Sequence, residues 1–197
     1  MKYFHALILI SMIILFSAGC SQNTSSSGSG GGREYFPNTD GYSWSYRMSM
    51  SGTTETATAR MTFTGTTTAG GTTVQIWRTE SFYTTGATTI ENLIKVTDSS
   101  VTQYGTLVYP STIPSTVIAF PLNIGSSWYT YGTVEAIVTA QENVIVPSGT
   151  FNNCYKISST QGSNSSDLWL GKNVGIVKML TTSIYGTYTL ELISRNF

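Results

Sequence analysis

The stretch from Tyr42 to Thr64 admits one regular backbone. Tyr42, Trp44, Tyr46, Met48 and Met50 alternate with Ser43, Ser45, Arg47 and Ser49. Glu55, Ala57, Ala59, Met61 and Phe63 then alternate with Thr54, Thr56, Thr58, Arg60, Thr62 and Thr64. Successive side chains of a strand point to opposite faces, so this period of two predicts two adjacent half-buried β-strands, whereas a helix would scatter each set around its axis. Further strands are expected over 73–83, 88–97, 101–109, 127–146 with a break or bulge, 151–160, 166–170, 175–185 and 187–195. The segment 134–144 contains Glu, Ala and Gln, yet it alternates and is rich in Val, Ile and Thr, which are stiff in helices, so it too is read as strand. Three prolines between Pro110 and Pro121 exclude a central strand there and predict a loop or flap.

Short turns rich in Gly, Asn, Asp and Ser separate these runs, and gaps so short permit hairpins while forbidding the crossovers that parallel strands need. The expectation is an all-β domain over 34–197: about ten antiparallel strands in a meander, forming a curved sheet, half-barrel or barrel, with a β-sandwich as the alternative. Charge then narrows the function. Charged residues make up 10% of the chain, ten basic against ten acidic, which leaves no electrostatic footprint for nucleic acid.

The N-terminus reads as an address. Met1 and Lys2 precede an apolar run over 6–16, then Ser17-Ala18-Gly19 and Cys20. The run is shorter than the roughly 18–20 residues a permanent span requires, which fits a cleavable leader over 1–19. Small residues before a cysteine resemble the bacterial lipobox, although Ser17 stands where that motif usually has Leu. The resemblance implies lipidation of Cys20, a palmitate-type acyl anchor and a bacterial envelope location, and Ser21 after the cysteine implies the outer membrane where the source has one. The alternatives are an ordinary secretory leader, with Cys20 a spare thiol, or an uncleaved anchor. Two or three acyl chains would hold durably where one would not. Residues 20–33 then form a Ser/Gly tether, whose thirteen residues after Cys20 would span roughly 20 Å as a random coil.

Removal of the leader removes His5, the one histidine. A Ser-His-Asp relay then cannot be built, and a zinc site would rest on carboxylates and one thiol. Cys154 is left without an intramolecular partner and is expected to be a buried small hydrophobe; as a reactive thiol it would have Lys156 as its nearest base in sequence. Glu55, Glu80, Glu91, Glu135, Glu142 and Glu191 keep carboxylate-pair hydrolysis formally open, but they lie singly along the expected strands. No phosphate-cradling loop, cofactor motif or metal motif is present.

Residues 122–128 (LNIGSSW), 146–157 (VPSGTFNNCYKI), Trp169 and 173–178 (NVGIVK), with the opening Tyr35-Phe36-Pro37 and Gly41-Tyr42-Ser43-Trp44, resemble a group of bacterial secreted or lipid-anchored β-domains of unknown function. These are similar in outline to the half-barrel carriers of the lipoprotein-localisation type, a likeness that implies fold more than activity. Trp44, Trp128 and Trp169 are expected in the core. The competing reading has Trp44, Tyr46, Met48, Trp128 and Trp169 lining a cavity for an apolar ligand such as an acyl chain. The threonine face of the second strand has a plain cause, since Thr forms strands and stays hydrated, and a functional alternative in contact with proteins or glycans. The leading expectation is a non-enzymatic envelope module that binds or assembles with a partner, attached to the membrane through acyl chains. A carrier or sensor of an apolar molecule is the alternative, and a carboxylate-dependent hydrolase the third reading.

Overall fold

A computed structural model describes residues 31–54 and 56–197 of the chain. The expected leader, Cys20, the tether before Gly31 and Glu55 lie outside the described residues. A single helical turn, α1 (Gly32–Tyr35), is followed by twelve strands: β1 (Ser43–Met50), β2 (Thr56–Ala69), β3 (Thr72–Tyr83), β4 (Gly86–Val96), β5 (Ser100–Thr106), β6 (Pro110–Ala119), β7 (Ser127–Thr130), β8 (Val134–Val146), β9 (Gly149–Gln161), β10 (Asn164–Gly171), β11 (Gly175–Ser183) and β12 (Gly186–Arg195). They form one antiparallel sheet in the order β6-β5-β4-β3-β2-β1-β12-β11-β10-β9-β8-β7. The two edge strands, β6 and β7, touch each other, so the sheet is a nearly closed barrel. An antiparallel sheet with a long apolar face and no helix to cover it buries that face by curling onto itself.

Twelve strands replace the expected ten for two reasons. The run over 127–146 breaks at Tyr131 and Gly132, both at positive φ, into β7 and β8. The segment expected to be a flap is a strand, β6. Its prolines are compatible with that because β6 pairs only with β5, Pro110 is its first residue, and Pro114 falls where the β5–β6 register shifts. A missing N–H costs little at an edge or a bulge.

Cross-strand partners share a face, so the register assigns the interior. Tyr46 pairs with Leu192 and Ala59, and Met48 pairs with Leu190 and Ala57. These face inward, and Arg47, between them, faces out. The meander alternates its turns between two ends. Residues 36–42, 70–71, 97–99, 120–126, 147–148 and 172–174 gather at one, the lower end; 51–54, 84–85, 107–109, 131–133, 162–163 and 184–185 gather at the other. The lower end is plugged. Phe36 packs edge-on to Trp77 at 5.5 Å and to Phe63 at 6.3 Å, Trp44 edge-on to Phe197 at 5.0 Å, and Tyr42 stacks on Phe197 at 4.2 Å.

One nine-residue phrase opens each half of the barrel. Phe36-Pro37-Asn38-Thr39-Asp40-Gly41-Tyr42-Ser43-Trp44 leads into β1, and Phe120-Pro121-Leu122-Asn123-Ile124-Gly125-Ser126-Ser127-Trp128 leads into β7. The turn at the glycine is repeated with the letters, although the Phe120–Pro121 peptide is cis and Phe36–Pro37 is not. Gly41 and Gly125 sit at φ 84° and 90°, closing turns in which Tyr42 N–H donates to Thr39 O at 3.0 Å and Ser126 N–H to Asn123 O at 2.9 Å. Gly41 N–H and Gly125 N–H then bond the carbonyls of Phe63 and Val138, whose own N–H groups return to Tyr42 O and Ser126 O. Each half also folds a hairpin tip outward over its neighbours. The β2–β3 tip lays Ala69 and Val74 on Leu93, and the β8–β9 tip is fastened by Ser148, whose N–H and hydroxyl both donate to Leu192 O.

Candidate functional site

Burial of the inward-facing rows falls from the lower end to the upper. Tyr46, Leu192, Ala59 and Ser81 form a fully buried row. The next row up runs Val138, Ile157, Leu168, Met179, Leu190, Met48 and Ala57, of which Leu168, Met179, Met48 and Ala57 are only half-buried. Above it run Ala136, Ser159, Ser166, Thr181, Tyr188 and Met50, and all but Ala136 are half-buried. Side chains that the register turns inward yet solvent still reaches line the upper opening of the barrel, where Met48, Leu168 and Met179 lie on top of the core. The barrel is therefore a cup, with an aromatic floor and a mouth among the upper turns.

Methionine gives this mouth an adaptable apolar wall, while Ser159, Ser166, Thr181 and two phenols supply hydrogen-bonding groups. Tyr83 faces inward beside Ala57, and its hydroxyl is a buried polar atom with no protein partner. Burial raises the Tyr188 phenol above its ordinary value, and the nearby Tyr83 oxygen adds to the rise. Among the described residues of the two upper rows, no side chain carries a charge.

The residues expected to line a cavity do not come together. Trp44 and Tyr46 form the floor: Trp44 Nε1 donates to Val174 O at 2.6 Å and Tyr46 Oη to Ile176 O at 2.9 Å. Burial holds the Tyr46 phenol far above its ordinary value. Met48 belongs to the mouth. Trp128 is half-buried at the β6–β7 edge, where its Nε1 donates to Val117 O at 3.2 Å. Trp169 shares the outer face with its cross-strand partners Lys156 and Lys178; their ammonium groups lie 5.1 and 6.0 Å from its ring, and its Nε1 donates to Glu142 at 2.6 Å. Met50, like Met48, belongs to the methionine wall that the cavity reading expects, whereas Met179 and Tyr188 are inward-facing residues that sequence reasoning missed, although the alternation of the last two strands carried the signal.

The same outer row continues from Lys178 through Glu191 and Arg47 to Thr58 and Phe82. Beside its end lies a shallow groove of about 430 Å³ lined by Arg47, Thr56, Thr58, Phe82 and Ile193 among others. Four of the carboxylates are held in separate ion pairs. Glu91 pairs with Arg78 at 2.7 Å, Asp167 with Lys156 at 3.1 Å, Glu34 with Lys172 at 2.9 Å, and Glu191 with both Arg47 and Lys178. Among the described residues no three of His, Cys, Asp and Glu assemble as metal ligands. Cys154 is fully buried, and desolvation, reinforced by Glu142, pushes its thiol up to about 11. It is held as the thiol at neutral pH, and Lys156, engaged with Asp167, does not activate it.

No protein-family model and no curated protein matches the sequence. Two solved structures share its outline. One is described as an exported protein with a YmcC-like fold from Bacteroides fragilis, 13% identical, with a TM-score of 0.48 over 83% of this chain and 99% of that one. The other is described as a lipoprotein from Parabacteroides distasonis, 14% identical, with a TM-score of 0.47 over 82% of this chain and 98% of that one.

Proposed function

We propose that the chain is a lipid-anchored, non-enzymatic binding module of the bacterial envelope, and that its binding site is the mouth of the cup. The observation that carries this reading is the gradient along the inner rows, from a floor sealed by Trp44 and Tyr46 to half-exposed Met48, Met50, Met179 and Tyr188. A barrel built only as a scaffold gains by filling its interior, because unfilled lumen forfeits dispersion contacts and apolar burial. Engagement of Glu34, Glu91, Asp167 and Glu191 by separate cations supports a binding role over hydrolysis at those residues. The anchor rests on Cys20 and the small residues before it.

A narrower reading comes from the chemistry of the wall. Methionines interleaved with hydroxyls, with no charge among the described wall residues, suit an uncharged amphiphile with an acyl-like chain, which makes the protein a carrier or sensor of such a molecule. Native and intact mass spectrometry of protein extracted from membranes tests both readings. The expected spectrum shows a mature chain beginning at acylated Cys20, with a fraction carrying one additional amphiphile that Ser166→Trp and Thr181→Trp displace. An acylated chain whose ligand content is the same in the parent and both variants defeats the lumen site. An unmodified N-terminus defeats the anchor.

A further inference from the structure

We propose that the seam between β6 and β7 is a membrane-facing surface, with the β5–β6 turn seated in the lipid headgroup region. This rests on the anchorage of Cys20 proposed above and adds the face that the protein turns toward the bilayer.

Three observations converge on this face. From Ser99 to Val134 the chain carries no charged residue; Asp98 and Glu135 flank the stretch, which contains all of β5, β6 and β7. The stretch also holds exposed apolar side chains: Ile124 at the lower end, Ile113 on β6, and Val108 and Tyr109 at the upper turn, the last two 76% and 81% exposed, while Tyr129 on β7 marks the border of the patch, opposite the exposed Glu135 of β8. An uncharged surface of tyrosines and aliphatic residues is the chemistry of the bilayer interface, where amphipathic rings sit at headgroup level.

The third observation says what covers the face. The chain enters the barrel beside it: Gly32 N–H bonds Asp98 O at 3.0 Å, Gly32 packs against Phe120, and Phe120 N–H bonds Ser99 O at 2.9 Å. Gly31 stands eleven residues after Cys20, a length that reaches at most about 40 Å even fully extended. An acyl group at Cys20 therefore holds the start of β5 near lipid, and β5 carries the chain from there straight to the turn at 107–109. Lipid is the occupant that both the anchor and the absence of charge favour. With the seam against the bilayer, the mouth opens along the membrane surface, within reach of molecules leaving it.

The test uses full-length protein, with Tyr109→Trp and, as a reference on the opposite side of the mouth, Ile184→Trp, which is likewise exposed at 74%. Each is bound to phosphatidylcholine vesicles containing brominated lipid, with intact mass reporting the acyl state of the same sample. With the emission of the parent, which has four tryptophans of its own, subtracted from each, the expected result is quenching of the Tyr109→Trp difference signal about threefold or more above that of Ile184→Trp, with a blue shift on vesicle addition that salt does not reverse, as for an uncharged interfacial residue. Equal, solvent-like difference emission from both variants in acylated protein overturns the docking face and leaves the anchor standing. A missing acyl mass overturns the anchor, while quenching by added vesicles still decides the face. A blue shift that depends on protein concentration without vesicles assigns the patch to a second copy of the chain and overturns lipid docking.

Discussion

The two copies of the Phe-Pro…Gly…Ser-Trp phrase build the same turn and then part company. After Trp44 the chain continues in alternation through Met50, and β1 is laddered on both sides, to β2 and to β12. After Trp128 it goes only as far as Thr130 before Tyr131 and Gly132 turn it back at φ 49° and 75°. β7 is therefore laddered to β8 alone, and its other side meets β6 through side chains: Trp128 Nε1 on Val117 O, Tyr131 N–H on Ser115 Oγ, and Tyr131 Oη on Gln103. The phrase dictates how each half begins. The residues after its tryptophan dictate whether the edge is sealed by backbone or fastened by side chains.

The largest expected contrast between the copies lies at their tryptophans. Trp44 is buried at the floor among Phe63 and Phe197, and Trp44→Ala should lower the unfolding free energy by about 3–5 kcal/mol, through lost contacts and an orphaned Val174 carbonyl. Trp128 is half-buried, and Trp128→Ala should cost about 1–2 kcal/mol for the smaller area withdrawn from water. Equal losses in urea titrations would mean that the seam is packed as tightly as the floor, and the two-edge distinction would fail.

Hydrogen exchange probes the seam without a mutation. Amides of β6 and β7 should exchange at least about tenfold faster than those of β1 and β12, since an edge strand opens without breaking a second ladder. Comparable protection on both seams would show that the barrel is closed in solution by contacts of ladder strength.

Much of the fold was legible in the letters. Alternation over 42–64 determined β1 and β2 because each of those strands has one wet and one buried face. The prolines of β6 misled because the rule against proline applies to strands with two neighbours, and having one neighbour is a property of the closed topology, not of the local sequence. The mouth was harder to read. Met48, Met50, Met179 and Tyr188 come from strands at opposite ends of the chain, and only the β1–β12 register brings them onto one wall. Trp169 was illegible as an outward residue because the lysines beside it are contributed by two other strands. The repeated phrase was open to view, but it shows only when the two segments are set against each other.

The glycines should behave alike where the tryptophans differ. Gly41 and Gly125 occupy the same left-handed conformation, and open space surrounds the position of a Cβ at each. Alanine there meets backbone strain and nothing else, so Gly41→Ala and Gly125→Ala should each cost about 1 kcal/mol. A markedly larger loss at one would show that the copies are equivalent in form but not in tolerance.

The smallest effect separates the seams by pH. On the outer face of the β1–β12 seam, Glu191 accepts from Arg47 at 2.7 Å and from Lys178 at 3.2 Å, and these contacts, the Arg47 bond above all, hold its carboxyl below the usual value. A carboxylate whose folded pKa is depressed contributes stability that is present above its unfolded pKa, near 4.3, and is lost as pH falls through the folded one. Arg47 is half exposed, so the contribution is small, below about 1 kcal/mol. Glu191→Gln should thus melt earlier than the parent at neutral pH, with the gap closing as the solution is acidified below about pH 4. Ser115→Ala, which removes the hydroxyl that receives Tyr131 N–H across the uncharged seam at 2.6 Å, should instead carry a penalty that stays constant through the same acid range. A Ser115→Ala penalty that also vanished with acid would couple the β6–β7 edge to a titrating group, of which Glu135 of β8, opposite Tyr129, is the nearest along β7.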